Sequence, residues 1–424
     1  MIKEDFLHYL WKLKKFDLSN LISSGGQKLS IIDFGTYNTD SGPDFFNAKV
    51  QIDDTLWAGN IEMHVRSSDW IKHNHQTDKA YNNVILHVVY EDDLSISTQY
   101  DVKIPTLELK NRIFKNDLKN YKLLRFNKDW VSCQKLFNIS SGFSRIRAVE
   151  KALTDRLLTK SSRLKNILTN KDNDWNDAFF VYLARYFGMK VNADAFEMLA
   201  GSLPYKTILK EKDELIKIEA LLFGQSGLLE KEFEDDYPQS LKQEYEHLKK
   251  KYKLSPIPVS IWKFSKLRPA NFPTIRIAQL AKLLFENTAI FGSIIKSEDV
   301  DSIKRLFRVK VSDYWLNHYL FDEESIHRQK SLGKSAINVL IINTVVPTVF
   351  LYGLLNNDEQ YKQKAVDYLS EIAPESNSII NKWADMGFSI SSAYDTQALL
   401  ELKQNYCSKY RCLECPIGND LMNK

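Results

Sequence analysis

Apolar and polar positions alternate with a period of two through much of the first 110 residues and follow a helical period nearly everywhere after them. Phe6, Leu7, Leu10, Trp11, Leu13 and Phe16 form the apolar stripe of an amphipathic helix. Strand patterns then follow closely, first Leu29 to Phe34, then Phe46 to Ile52, where Ala48, Val50 and Ile52 alternate with Asn47, Lys49 and Gln51. Trp57 to Val65 alternates again, and side chains two apart share a strand face. Trp57, Ile61, Met63 and Val65 are therefore expected on one side and Asn60, Glu62 and His64 on the other. Ser68-Asp69 caps a short predicted helix running to about Tyr81. Asn83 to Tyr90, apolar on both faces apart from His87, reads as a central buried strand, and Ile96 to Leu109 supplies a further strand or two. The predicted order is helix, three strands, helix, strand.

Beyond residue 110 the pattern predicts helices over Ile146 to Leu168, Trp175 to Phe187, Asp213 to Leu222, Ile275 to Phe285, Gln360 to Ile372 and Tyr394 to Gln404. Leu203-Pro204, Ser255 to Pro258 and Pro269 to Pro273 punctuate them. The expectation is an α/β domain over 1–110 and an all-α region over 111–424. Ser335 to Asn357 carries no charge and is long enough to span a bilayer, but Asn338, Asn343, Thr344, Pro347 and Thr348 interrupt it. It is read as a buried helix kinked or ended near Pro347, with no membrane involvement.

The composition, 44% hydrophobic and 26% charged over 424 residues, is that of a globular protein of two or three domains. Acids at Glu4 and Asp5 and lysines at 12, 14 and 15 leave no apolar signal core, so a cytoplasmic location is expected. The net charge of +4 hides an asymmetry: residues 1–110 hold 11 Lys/Arg against 16 Asp/Glu, whereas 111–165 hold 14 against four. An acidic module followed by a basic block suits a protein that holds a polyanion against a cation site.

Candidate chemistry concentrates on Gly42-Pro43-Asp44 and, 18 residues after its aspartate, Glu62-Met63-His64. Glu62 and His64 project from one strand face, and Asp44 reaches the same point if its strand pairs with theirs. Two carboxylates at one sheet edge are what Mg²⁺ or Mn²⁺ needs to activate water against a phosphodiester. These motifs, in their setting of helix, three strands, helix and strand, resemble the core of the PD-(D/E)XK nuclease superfamily, with His64 in the place of its lysine. That resemblance implies a restriction-endonuclease-like fold for the first quarter of the chain. It also implies metal ligation by Asp44 and Glu62, a further ligand from the Met63 carbonyl, and a His64 that orients or deprotonates water. Asn38 to Phe45, Gly59 to His64 and Asn83 to Val89 also resemble an uncharacterised bacterial family, the domain-of-unknown-function 2851 group, nearly end to end and including the cysteine-rich tail; that resemblance implies no activity.

His64, His73, His75 and His87 all lie within 25 residues of Glu62. Imidazole suits transition metals, so a transition-metal hydrolase using His64, His73 and His75 is a competing reading. His87, amid aliphatic neighbours, is expected as a hydrogen-bonded core histidine, and His73 and His75, which cannot share one helical face, as surface or supporting groups.

Cys133 and the tail Cys407-x4-Cys412-x2-Cys415 account for all four cysteines. This spacing points to a bound iron–sulfur cluster or structural zinc. One upstream cysteine and three near the carboxyl end also resemble the iron–sulfur nucleases, although there the first cysteine precedes the catalytic strands.

The basic segment interleaves Arg112, Lys115, Lys119, Lys122, Arg125, Lys128, Arg145 and Arg147 with aromatic residues, a composition that can track phosphates and stack bases. The leading expectation is a metal-dependent nuclease acting on DNA or RNA. The alternatives are a non-catalytic nucleic-acid-binding protein on the same fold and the transition-metal hydrolase.

Overall fold

The computed structural model describes residues 2–287 and 289–424, which divide into two compact units, 1–148 together with 402–424, and 149–401. The first unit thus extends beyond residue 110 and takes in the cysteine tail.

Its elements are α1 (Glu4–Lys12), β1 (Leu21–Ile22), β2 (Lys28–Asp33), β3 (Thr36–Tyr37), β4 (Phe45–Ile52), β5 (Thr55–Arg66), α2 (Asp69–Lys72), β6 (Val84–Glu91), β7 (Thr106–Glu108) and α3 (Lys115–Phe126). The strands form one mixed sheet in the order β1-β2-β4-β5-β6-β7, with β3 paired to β4. β2, β4 and β5 are antiparallel neighbours, as hairpin-length connections require, whereas β6 is parallel to β5 and β7 to β6. β6 is buried along most of its length, as a central strand covered on both faces must be. α1 packs its buried stripe of Phe6, Leu7, Leu10 and Trp11 against the sheet, and the Trp11 indole donates to the Phe34 carbonyl at 3.0 Å.

Local backbone chemistry sets the details. Asn47, at φ 58°, forms a bulge in β4: Phe45 pairs with Ile61 but Ala48 with Gly59. Gly59 is required by close approach, since a Cβ there would lie 2.4 Å from the Ile85 side chain and 2.6 Å from the Asn83 carbonyl.

Three expectations need correction. Trp57 does not join Ile61 and Met63 on the buried face; it is 49% exposed, because β5 extends past the covered part of the sheet. The predicted helix to Tyr81 stops at Lys72, since Asn74 adopts the left-handed conformation and the chain continues in two single 3₁₀ turns. Of the two readings at Pro347, kinked or ended, the second fails: Lys334–Leu355 is helical throughout, with a π-helical turn at Ile341–Val345 just before the proline. That helix is long and apolar enough to cross a membrane by length and composition, yet 72% of its apolar stretch is buried inside the structure, the pattern of a core helix.

The second unit is helical apart from a two-stranded hairpin, His318–Leu320 with Glu323–Glu324. The helix Gly142–Asn170 contains the boundary between the units.

Candidate metal centre

Asp44 enters β4 from a turn that only Gly42, at φ +102°, accommodates without strain. The Asn38 side-chain amide ties the turn together by donating to the carbonyls of Asp40, Ser41 and Pro43 at 3.0–3.2 Å. Antiparallel pairing of β4 with β5 then sets Asp44 beside Glu62, as the spacing predicted. The Met63 amide donates to Asp44 Oδ2 at 2.9 Å, and the Asp44 amide donates to Glu62 Oε2 at 3.1 Å. His8 of α1 brings its Nε2 to 3.1 Å from Asp44 Oδ2.

Glu62 and His64 share a strand face, and both are buried. His64 Nδ1 lies 2.8 Å from His87 Nε2, and its Nε2 lies 3.1 Å from His73 Nδ1 and 3.5 Å from Glu62 Oε1. His75 Nε2 is 3.4 Å from the same Glu62 oxygen. The His75 ring stacks on Tyr81 at 3.7 Å and meets the edge of buried Trp70. His87 is the buried, hydrogen-bonded histidine its neighbours predicted, but His73 and His75 belong to the site itself. The helix-face argument against their meeting fails because they are not on one helix: Asn74, at φ 63°, separates the end of α2 at His73 from the 3₁₀ turn that His75 begins.

Burial dominates the electrostatics. It pushes the Glu62 carboxyl up to about 9, reinforced by the charge of Asp44, and raises Glu4 for the same two reasons. Burial also drives His64 down to about 2 and His87 to about 3, so both rings are neutral near pH 7 and offer lone pairs. His75 is lowered, again by burial. His8 and Glu4, one helical turn apart on α1, were missed in the sequence. Their only trace there is a polar edge on an apolar helix.

The cysteines converge independently of this centre. Cys133, Cys407, Cys412 and Cys415 line one cavity of about 20 Å³ with Ser132, Tyr406, Arg411 and Gly418. No disulfide joins any of them among the described residues. Burial, followed by the neighbouring thiols, pushes Cys133 up to about 12 and Cys407 well above its usual value; burial likewise raises Cys412 to about 11. The tail is held in place by Asp420, whose Oδ2 accepts from the Ser141 amide at 2.7 Å, and by Lys403, which donates to the Trp130 carbonyl at 2.6 Å.

The basic segment separates into two groups. Arg112 donates to the carbonyls of Ser19 and Asn20 at 2.9 Å, Arg145 to those of Phe137 and Ser140 at 2.7 and 3.0 Å, and Arg125 lies half-buried over the Tyr410 ring. Arg112 and Arg145 thus commit their guanidinium groups to backbone carbonyls, and Arg125 is packed on an aromatic ring. Lys115, Lys119, Lys122, Lys128 and Arg147 are exposed. At 100° per residue the three α3 lysines share one face with exposed Phe126, opposite buried Asp117, Tyr121 and Leu124.

A family described as protein of unknown function (DUF2851) matches residues 4–378, and the cysteine tail at 407–415 lies outside that stretch. No curated protein and no solved structure matches the chain.

Proposed function

We propose that this chain, which belongs to the DUF2851 family of proteins of unknown function, is a metal-dependent phosphodiester hydrolase acting on nucleic acid. The observation that carries the reading is the meeting of Asp44, at the start of β4, with Glu62 on β5, each carboxylate accepting a backbone amide of the other's segment. The sheet supports it: three antiparallel strands followed by a parallel β6, with the acids on β4 and β5, resembles the PD-(D/E)XK core.

A bound divalent cation would supply Lewis acidity toward a phosphoryl oxygen and a more acidic water. Magnesium, implied by the nuclease resemblance, seeks oxygen ligands, whereas Glu62 Oε1 here faces two imidazoles. The donor set does not fit magnesium, so the chemistry is assigned to the chain's own groups. Asp44 holds His8 through the 3.1 Å contact of its Oδ2 with Nε2, which leaves Nδ1 as the only ring nitrogen of His8 free to act as a base. His64 is enclosed between His87 and His73 and held neutral, so it neither replaces a lysine ammonium nor reaches solvent as a base. The α3 lysines attract the phosphate backbone, and Phe126 offers a stacking face. Cys133, Cys407, Cys412 and Cys415 are four soft donors around one cavity, which fits an iron–sulfur cluster or zinc that would fasten the tail to the first unit.

The test is cleavage of single- and double-stranded DNA and RNA by metal-loaded protein, with Asp44→Ala and Glu62→Ala as controls. Activity in the wild type that both variants lose supports the reading. A folded, metal-loaded wild type that binds nucleic acid but cleaves none selects the binding protein instead. The histidine grouping favours a second reading, hydrolysis of a small phosphate ester, in which Lys119→Glu leaves turnover unchanged.

A further inference from the structure

We infer that Glu62, His64, His73 and His75 form a four-coordinate site for one borderline transition-metal ion, of the zinc or ferrous class, in place of the oxygen-ligated magnesium centre that the nuclease resemblance implies. The inference rests on reading this pocket as a metal centre, but not on the substrate proposed above.

Three of the contacts have the length of the edges of a ligand tetrahedron. With metal–nitrogen and metal–oxygen bonds of about 2.0–2.1 Å, the edges of a tetrahedral zinc site are about 3.3–3.4 Å. The edges here are 3.1 Å for His64 Nε2 to His73 Nδ1, 3.5 Å for His64 Nε2 to Glu62 Oε1 and 3.4 Å for His75 Nε2 to Glu62 Oε1. The ligand nitrogens of the three histidines all lie within 4.8 Å of one another.

The surroundings match what such a site requires. His64 Nδ1, the nitrogen turned away from the tetrahedron, sits 2.8 Å from His87 Nε2, so His87 is the acceptor that fixes His64 in the tautomer leaving Nε2 for the ion. Glu62 Oε2 is held by the Asp44 amide, which aims Oε1 at the histidines. His75 is held by stacking on Tyr81. Burial grades from His64, enclosed, through His75 to His73, which is exposed, so the centre opens toward solvent on the His73 side. There a water or phosphoryl oxygen can enter as a fifth ligand or by displacing His73. Asp44 lies on the Glu62 Oε2 side, outside these four ligand atoms, with His8 beside it.

The experiment is metal titration of the full-length, tag-free apoprotein with Co²⁺ and Zn²⁺, in the wild type and in His73→Ala, His75→Ala and His87→Ala. His73 and His75 are chosen because they are not deeply buried, and circular dichroism checks the fold of each variant. Cobalt bound to the cysteines reports itself by thiolate charge-transfer absorption, which separates that site from the nitrogen–oxygen one. The expected result is a cobalt ion with the visible bands of a four-coordinate nitrogen–oxygen site, separate from any cobalt at the cysteines, which the thiolate absorption marks. His75→Ala abolishes it, His73→Ala weakens or abolishes it, and His87→Ala weakens it roughly 10–100-fold. Excess Mg²⁺ does not compete. Folded His73→Ala and His75→Ala proteins that bind this cobalt as the wild type does would overturn the assignment. So would Mg²⁺-supported cleavage indifferent to both substitutions, which would leave the nuclease reading intact. Loss of the cobalt site in the variants, beside a wild type that cleaves nothing, keeps the assignment and removes the nuclease.

Discussion

Asn74 decides whether the histidines meet. Its left-handed backbone, φ 63°, ends α2 and turns His73 and His75 toward Glu62. Asparagine tolerates this conformation and glycine adopts it freely, whereas a β-branched residue pays about 1–2 kcal/mol. Asn74→Gly should retain wild-type cobalt affinity, and Asn74→Val should lose both about that much unfolding free energy and most of the affinity, measured by urea titration and absorbance. Gly418 plays the matching part in the tail. A Cβ there would lie 2.0 Å from the Cys412 carbonyl, backbone that can move only by shifting the cysteine loop. Gly418→Ala should therefore expose the thiols, read as faster reaction with a chromogenic thiol reagent; unchanged rates would show that the tail is not fastened as described. At this scale the sequence revealed Asp44, Glu62 and His64, because strand alternation is a rigid rule. It concealed His8, and it named His73 and His75 only as a competing reading, because one left-handed residue and a helix-to-sheet contact leave no periodic trace.

Among the elements, the strands β2, β4, β5 and β6 and the helices with strong apolar stripes were legible nearly to their ends. Asp236–Tyr252 was not, since a mostly polar sequence hides its buried positions Pro238, Leu241, Tyr245 and Leu248. α3 was hidden for the same reason: few of its side chains are buried, and the rest are the polar face that makes it interesting. Lys115, Lys119 and Lys122 rise along one side of α3 over about two turns, roughly 10 Å. Lys119→Glu and Lys122→Glu should each weaken nucleic-acid binding across sequences and lower the salt slope of log K by about 1, in fluorescence anisotropy at several ionic strengths. Arg112→Ala and Arg145→Ala should act on stability instead, because their guanidinium groups are committed to backbone carbonyls. Equal loss of binding in the arginine and lysine variants would contradict this division.

Over the whole molecule, the two units answer to different tests. In the second, Glu219 is buried and accepts from the Ser312 hydroxyl at 2.8 Å, and burial raises its carboxyl to about 7. Folding thus favours its protonated form. That contribution is fully present below about pH 4.5, fades as pH rises to about 7 and is gone above it, a change of about 3 kcal/mol. Glu219→Gln should flatten the stability profile across that window, as urea unfolding at several pH values will show. The first unit carries the functional claim. Its sheet order brings two carboxylates together, and its carboxyl-terminal tail returns to place three cysteines beside Cys133. That return was only half legible: the spacing announced a metal centre, but not the unit to which the tail belongs. The most direct test of the central claim is cleavage of labelled DNA and RNA by protein loaded with Zn²⁺, Mn²⁺ or Fe²⁺. The account predicts metal-dependent cleavage that Asp44→Ala and Glu62→Ala each reduce at least 100-fold; a folded, metal-loaded wild type that leaves every substrate intact would contradict it.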